Sequence, residues 1–513
     1  MKSLKSHILI RTVLFAGIVV LVNIISIRVF GRIDLTAQGV YTLAQPSKDL
    51  VGSLDDRVTV KAYFTEDLPA PYNSNRRATL DILNEYKAYS SGTLHFEFIS
   101  PTGETGEQEA QQEGIAPVQV QVINDDRLEV KRGYMGLVML YEDRKETIPV
   151  VQNVRSLEYD ISSALKRLTT RTKKKIGYTT GHREAEPSAF QQAAQMVSSQ
   201  YELVRVDLKA NPAVPGDLAG LLVIGPEDRF SDSSKAALDR YIMHGGKIAF
   251  FINRFSATLQ DRFARAVDPG LDDLLSHYGV RVHTDLVRDA QCAPVTVMQQ
   301  QGMFRFQSQI PFPLLPVASN FNREHAVSKD LESVLFFFVS SVDTNGIASR
   351  NLKGDVLVRS SERSDRQSGF ILIDPLQRPA ASDLAERHIP LAVTVEGSFS
   401  SFRGDSIAAS LPSSPLTRIL VVGDADFMKD EYLGSRGNVI LFANIVDYIA
   451  DDAGLITIRS KNLVQPPLEQ VSDGTKRLLK YVNIFLPPFL VAGYGVFRWR
   501  RRAALKRALE LSG

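Results

Sequence analysis

The 513-residue chain has one cysteine, Cys292, so no disulfide can close within it and a disulfide framework is excluded. It has no C-x-x-C pair, and disulfide exchange of the thioredoxin kind needs two thiols. No G-x-x-x-x-G-K-[ST] stretch occurs, so the chain does not itself hold ATP on a P-loop. Charge of one sign is also lacking: 60 Lys and Arg against 58 Asp and Glu leave a net +2, with no overall field to draw in nucleic acid. What remains is ordinary globular composition, 44% apolar and 23% charged, in a chain long enough for about two to four domains.

The two ends are the most apolar parts. Residues 8–30 read ILIRTVLFAGIVVLVNIISIRVF, with no charge from Thr12 to Ile27 and with Arg11 and Arg28 placed to snorkel at the ends. No small-residue cleavage pattern follows, which favours an uncleaved anchor over a signal peptide. Residues 481–499 (YVNIFLPPFLVAGYGVFRW) form a second expected span, with a kink at Pro487-Pro488, the aromatic Trp499 at the interface, and Arg498, Arg500, Arg501 and Arg502 at its end. The basic ends predict two cytoplasmic termini and a large exported region in contact with a lipid bilayer, at the inner membrane of a bacterium.

Between the spans the pattern is α/β. RVTVKAYF (57–64) and TLHFEFISP (93–101) alternate as strands around a helical stretch at 75–92, a β-α-β start that suits a thioredoxin-like subdomain. Strands then follow, and a helix is expected from about Ser156 to Thr170. RTKKK (171–175) reads as a solvated linker and domain boundary. From there short apolar runs alternate with helices, which predicts a mainly parallel sheet covered on both faces. GLLVIGPEDRFS has the outline of the elbow strand of amidotransferase-like folds, but Pro226-Glu227 stands where a Cys or Ser nucleophile would be needed. The expected division is a cytoplasmic N-terminus (1–7), a span (8–30), a subdomain (31–172), a larger domain (173–465) with an irregular insertion or edge strands at about 284–390, a span (481–499) and a basic tail (500–513).

Ligands in open α/β sheets bind beyond the carboxyl ends of the strands. Three candidate loops lie there: TTGHREAEP (179–187) with Gly181 and His182, GPEDRFS (225–231), and GDADF with Gly423, Asp424 and Asp426, followed by Asn438. His182 is a lone histidine with no second ligand at metal spacing, so a turn role is the plain reading. Asp424 and Asp426, two apart, could converge on a divalent cation. Equally, they could satisfy backbone N–H groups in the turn, with Asn438 as N-cap of the helix VILFANIVDYIAD.

Four stretches carry a resemblance: RIDLTAQGVYTLAQPSKDLV (32–51), IGYTTGHREAEP (176–187), LDRYIMHGGKIAFFINR (238–254) and VVGDADFMKDEYLGSRGNVILFANIVDYIADDAGLITIRSK (421–461). In content and order the chain resembles the auxiliary, membrane-anchored subunits of gliding-motility-type ABC transporters. It departs from their pattern at Ala44, where a small polar residue often follows YTL, so the helix start is left to Gln45-Pro46. The resemblance implies a non-catalytic subunit without cofactor, partnered by a separate ABC ATPase and a multi-span permease, its exported part binding substrate or an envelope protein. The rival expectations are a metal-dependent exported hydrolase using Asp424, Asp426 and His182, and a structural envelope tether.

Overall fold

The computed structural model describes residues 42–458, apart from short stretches of which 403–412 is the longest, together with 473–510 and a few positions before 42. The chain divides into a unit up to Val464 and a second unit from Gln465.

The first unit opens with helix α1 (Gln45–Gly52), strand β1 (Val58–Phe64), helix α2 (Asn73–Tyr89), strand β2 (Leu94–Ile99) and helix α3 (Gly103–Gln112). Strands β3 (Pro117–Asn124), β4 (Arg127–Tyr141) and β5 (Arg144–Ile148) follow, then helix α4 (Leu157–Thr169). β1 pairs in parallel with β2 and antiparallel with β4, whose other edge takes β3 and β5. Thr79, Ile82, Leu83 and Tyr86 recur at helical spacing on α2 and are buried.

Helix α1 begins at Ala44, which offers no side-chain cap, with Pro46 in its first turn. A remote residue does the capping: buried Glu158 on α4 accepts the Ala44 N–H at 2.6 Å and the Ser47 hydroxyl at 2.8 Å. This explains how the start tolerates alanine, because a carboxylate at a helix N-terminus satisfies orphan donors and favours the dipole.

The lysines of 173–175 are exposed or half-buried, as expected of a solvated run, and their ammonium groups also tie down neighbours. Lys173 and Lys174 donate to the Ser198 and Ala450 carbonyls at 2.8 and 2.7 Å, and Lys175 pairs with Asp217 at 2.7 Å. Lys173 and Lys174 thereby cap the C-terminal ends of two helices packed on the larger sheet.

That sheet contains β6 (Lys175–Thr180), β7 (Glu202–Asp207), β8 (Leu218–Ile224) and β9 (Ile248–Phe251), all parallel, with helices α5 (Gln191–Ser198), α6 (Asp232–Met243) and α7 (Asp272–His277) between and after them. Residues 284–390 supply β10 (Asp285–Asp289), the hairpin β11 (Cys292–Gln301) and β12 (Phe304–Ala318), β13 (Lys353–Arg359) and β14 (Ser364–Ser368). β13 pairs antiparallel with β15 (Pro390–Gly397), which pairs antiparallel with β16 (Thr417–Val422), and β16 lies parallel to β9. The sheet thus has a parallel half and an antiparallel edge drawn from the middle of the chain.

The apolar runs of this sheet are continuous because both faces are covered. Leu222, Ile224, Ala249, Phe251, Leu420 and Val422 face one core, with α5 and helix α8 (Arg436–Ile449). Leu221, Val223, Ile248, Phe250, Ile419 and Val421 face the other, with α6 and α7.

One expectation is overturned. Among the described residues no helix is long and apolar enough to cross a membrane, so the expectation of an α/β protein with a membrane helix at each end is not borne out. Residues 481–499 lie within helix α9 (Asp473–Glu510), which continues through Pro487-Pro488. Between Lys480 and Arg498 stand 17 residues, about 25 Å of helix against a hydrocarbon core of about 30 Å, and Asn483 and the proline pair lower their hydropathy further. Arg498, Trp499 and Arg500 are exposed on this helix. The 8–30 stretch lies outside the described residues except for Leu14, Phe15 and Gly17, and Arg11 and Arg28 are among those left out.

Candidate functional site

The loops after β6, β8, β9 and β16 meet at the carboxyl ends of the parallel strands. The His182 carbonyl accepts the N–H groups of Glu227 and Asp228, each at 3.0 Å, and Asn253 Oδ1 accepts the Ala425 N–H at 2.7 Å. All six residues singled out from the sequence, Gly181, His182, Gly423, Asp424, Asp426 and Asn438, belong to this rim or to the start of α8.

Asp424 is fully buried, and both of its oxygens are occupied by backbone. Oδ2 accepts the Phe337 N–H at 2.7 Å, while Oδ1 accepts those of Asp426 at 2.6 Å and Phe427 at 3.3 Å. Burial, then the neighbouring Asp426 carboxylate, push its carboxyl well above the usual aspartate range despite these donors. Asp426 forms an ion pair with Lys429 at 2.6 Å. Burial opposes the Lys429 charge, but Asp426, Asp424 and Glu227 outweigh it and raise the ammonium's pKa. Among the described residues no three His, Cys, Asp or Glu side chains are grouped to hold a metal ion.

The partner of this loop is the chain itself. Residues 333–341 (SVLFFFVSS) lie across the end of β16. The Gly423 carbonyl accepts the Ser340 N–H at 2.8 Å, and a Cβ at Gly423 would overlap the Ser340 carbonyl oxygen and stand 2.9 Å from its carbon. A Cβ at Gly437 would likewise collide with the Ser333 carbonyl. Asn438 then pairs with Leu335 as a strand would: Oδ1 accepts the Leu335 N–H at 2.9 Å, and Nδ2 donates to the Leu335 carbonyl at 2.8 Å and to that of Phe427 at 2.6 Å. Asn438 is therefore not the N-cap expected for α8. That role belongs to Ser435, whose Oγ accepts the Gly437 N–H at 3.2 Å.

His182 sits 3% exposed, stacked on Phe230 with 3.9 Å between ring centroids. Its Nδ1 faces Glu184 Oε1 at 3.4 Å and its Nε2 faces Ser234 Oγ at 3.4 Å. Burial alone would raise the Glu184 carboxyl, but His182 and the N–H groups of Glu184 and His182 prevail and hold it below the usual range. Sequence reasoning missed Glu184 and Ser234; the only available signal was Glu184 two residues beyond His182. The order hydroxyl, imidazole, carboxylate is that of an activated nucleophile. However, Ser234 is wholly buried, and its hydroxyl also bonds to the Leu208 carbonyl at 3.0 Å, so it opens onto no substrate. Gly181 has φ +108°, and a Cβ there would stand 2.7 Å from Lys209 Cβ, so its glycine belongs to the turn.

A second concavity, of about 490 Å³, lies where the N-terminal subdomain meets the larger sheet, lined by Tyr159, Asp160 and Ser163 of α4 and by Gln192, Gln195 and Met196 of α5.

Residues 37–140 match a domain of unknown function. An uncharacterized protein of Borreliella burgdorferi is 22% identical over 521 residues, covering 98% of this chain and 99% of its own. Among solved structures, the N-terminal domain of mmIFT52 is 12% identical, covers 54% of this chain and 97% of its own, and gives a TM-score of 0.34. A ThuA-like protein from Parabacteroides merdae is 10% identical, with 54% and 90% coverage and a TM-score of 0.28. Residues 173–450, more than half of the chain and the whole of the rim just described, match the family described as ABC-type uncharacterized transport system, and the protein belongs to that family.

Proposed function

We propose that the protein is a non-catalytic auxiliary subunit of a bacterial ABC transport system. It binds substrate or an envelope partner at the inner membrane, while a separate ATPase and a multi-span permease drive transport. The observation that carries this reading is the closed rim. Where an α/β enzyme keeps its chemistry, the carboxylate of Asp424 and the amide of Asn438 are used up on the backbone of 333–341 and of residues 426–427. The lack of a P-loop in the sequence fits an ATPase supplied by another chain.

The test is purification of the tagged full-length protein with identification of the chains that accompany it. Recovery of a P-loop ATPase together with a multi-span protein supports the reading. Purification without either sinks it.

A further inference from the structure

We propose that the cleft between α4 and α5 binds a small amine-bearing molecule, with its ammonium group held at Asp160 and its polar remainder between Gln192 and Gln195. The cleft's volume of about 490 Å³ lies in the range of small-molecule sites, which favour boundaries between domains.

Its chemistry is unbalanced in one direction. Asp160 accepts from Ser156 Oγ at 3.0 Å, and no ion pair to it is present among the described residues. Ser163, one turn further on the same face of α4, is buried, and its hydroxyl has no hydrogen-bond partner among the described residues. The cation that lines the cleft, Arg167, is already bound to Glu146 by Nε at 2.9 Å and by a terminal nitrogen at 2.8 Å. An anionic ligand would therefore meet the Asp160 carboxylate and a lining cation already paired, whereas an ammonium supplies both the charge and the donors that Asp160 and Ser163 can accept. Burial raises the Asp160 carboxyl above its usual range, outweighing the Ser156 hydrogen bond and the charges of Arg436 and Arg167, neither of which forms an ion pair with it among the described residues. Across the cleft, Gln192 and Gln195 stand one turn apart on α5, beside Met196, and Ile148 and Pro149 add apolar wall. The two helices come from different subdomains, so one ligand would touch both.

This inference deepens the substrate-binding reading, yet it fails separately from it, because loss of amine binding leaves co-purification with the ATPase and permease untouched. The experiment is calorimetric titration of the full chain with ethanolamine, glucosamine and cadaverine, each against its amine-free counterpart: ethylene glycol, glucose and pentane-1,5-diol. Binding of at least one amine is expected, with its counterpart at least tenfold weaker and with Asp160→Asn at least tenfold weaker for the amine. Gln195→Ala, which truncates an exposed side chain, is expected to weaken the amine at least threefold, and it carries the test if Asp160→Asn does not fold. No binding by any of the three amines, equal binding of the counterparts, or unchanged binding by the variants would overturn the proposal.

Discussion

Replacing Gly423 with alanine tests whether the GDADF loop is a receptor for the chain's own backbone. The added methyl cannot coexist with the Ser340 carbonyl, so residues 333–341 must shift away from β16. The shift breaks the Ser340 N–H bond to the Gly423 carbonyl and pulls the Phe337 N–H from Asp424, at 2.8 and 2.7 Å in the intact protein. Each buried group left unpaired costs about 1–3 kcal/mol, and partial accommodation by overpacking costs about 1–3 kcal/mol instead. A loss of about 3–5 kcal/mol is expected, in the upper tail of single substitutions. Urea unfolding followed by far-UV circular dichroism measures it; tryptophan fluorescence does not, because the single Trp, Trp499, lies on α9. Gly216→Ala is the control, since a Cβ there meets nothing within 4 Å, and it should move stability by no more than about 0.5 kcal/mol. Hydrogen exchange should show the Phe337 and Ser340 amides losing protection in the Gly423 variant. Equal unfolding midpoints for the two variants, with those amides still protected, would refute the reasoning.

Asn438→Ala removes three hydrogen bonds to Leu335 and Phe427 and should cost about 2–4 kcal/mol, read from the same urea curves. Burial lowers the pKa of His325, whose Nδ1 accepts the Val327 N–H at 3.3 Å. The unfolded chain therefore binds the proton more readily, and stability should fall as the pH drops below about 6.5, less so in His325→Gln. A thermal series from pH 7.5 to 5.5 on both proteins checks the sign. A fluorophosphonate probe should leave Ser234 unlabelled in the folded protein, as read by mass spectrometry; stoichiometric labelling would revive the hydrolase reading.

Much of the fold was legible because its signals are local. Alternation in 57–64 and 93–101 gave β1 and β2, and the short apolar runs after 175 gave a sheet buried on both faces. What escaped depends on contacts distant in sequence. For 284–390 the choice between an insertion and edge strands stayed open because of Pro311, Pro313 and Pro316, which fall within β12 at the end of the β11–β12 ladder away from its turn, where the register shifts. Asn438 has the composition of an N-cap, but its amide is claimed by Leu335, 103 residues away, and no local rule foresees that. Ser234 approaches His182 across 52 residues because α6 starts beside the β6 loop. The terminal span misled because an apolar stretch bounded by arginines looks alike whether or not it is long enough to cross.

One carboxylate links the two regions treated separately above. Asp430, a few residues beyond GDADF, accepts the Gln191 N–H at 2.6 Å and the Gln192 N–H at 3.1 Å, capping α5 from outside. The helix that lines the subdomain cleft is thus anchored at its first turn to the loop leaving the sealed rim. Displacing residues 424–432 would therefore take with it the Asp430 carboxylate that caps α5, the helix bearing Gln192 and Gln195.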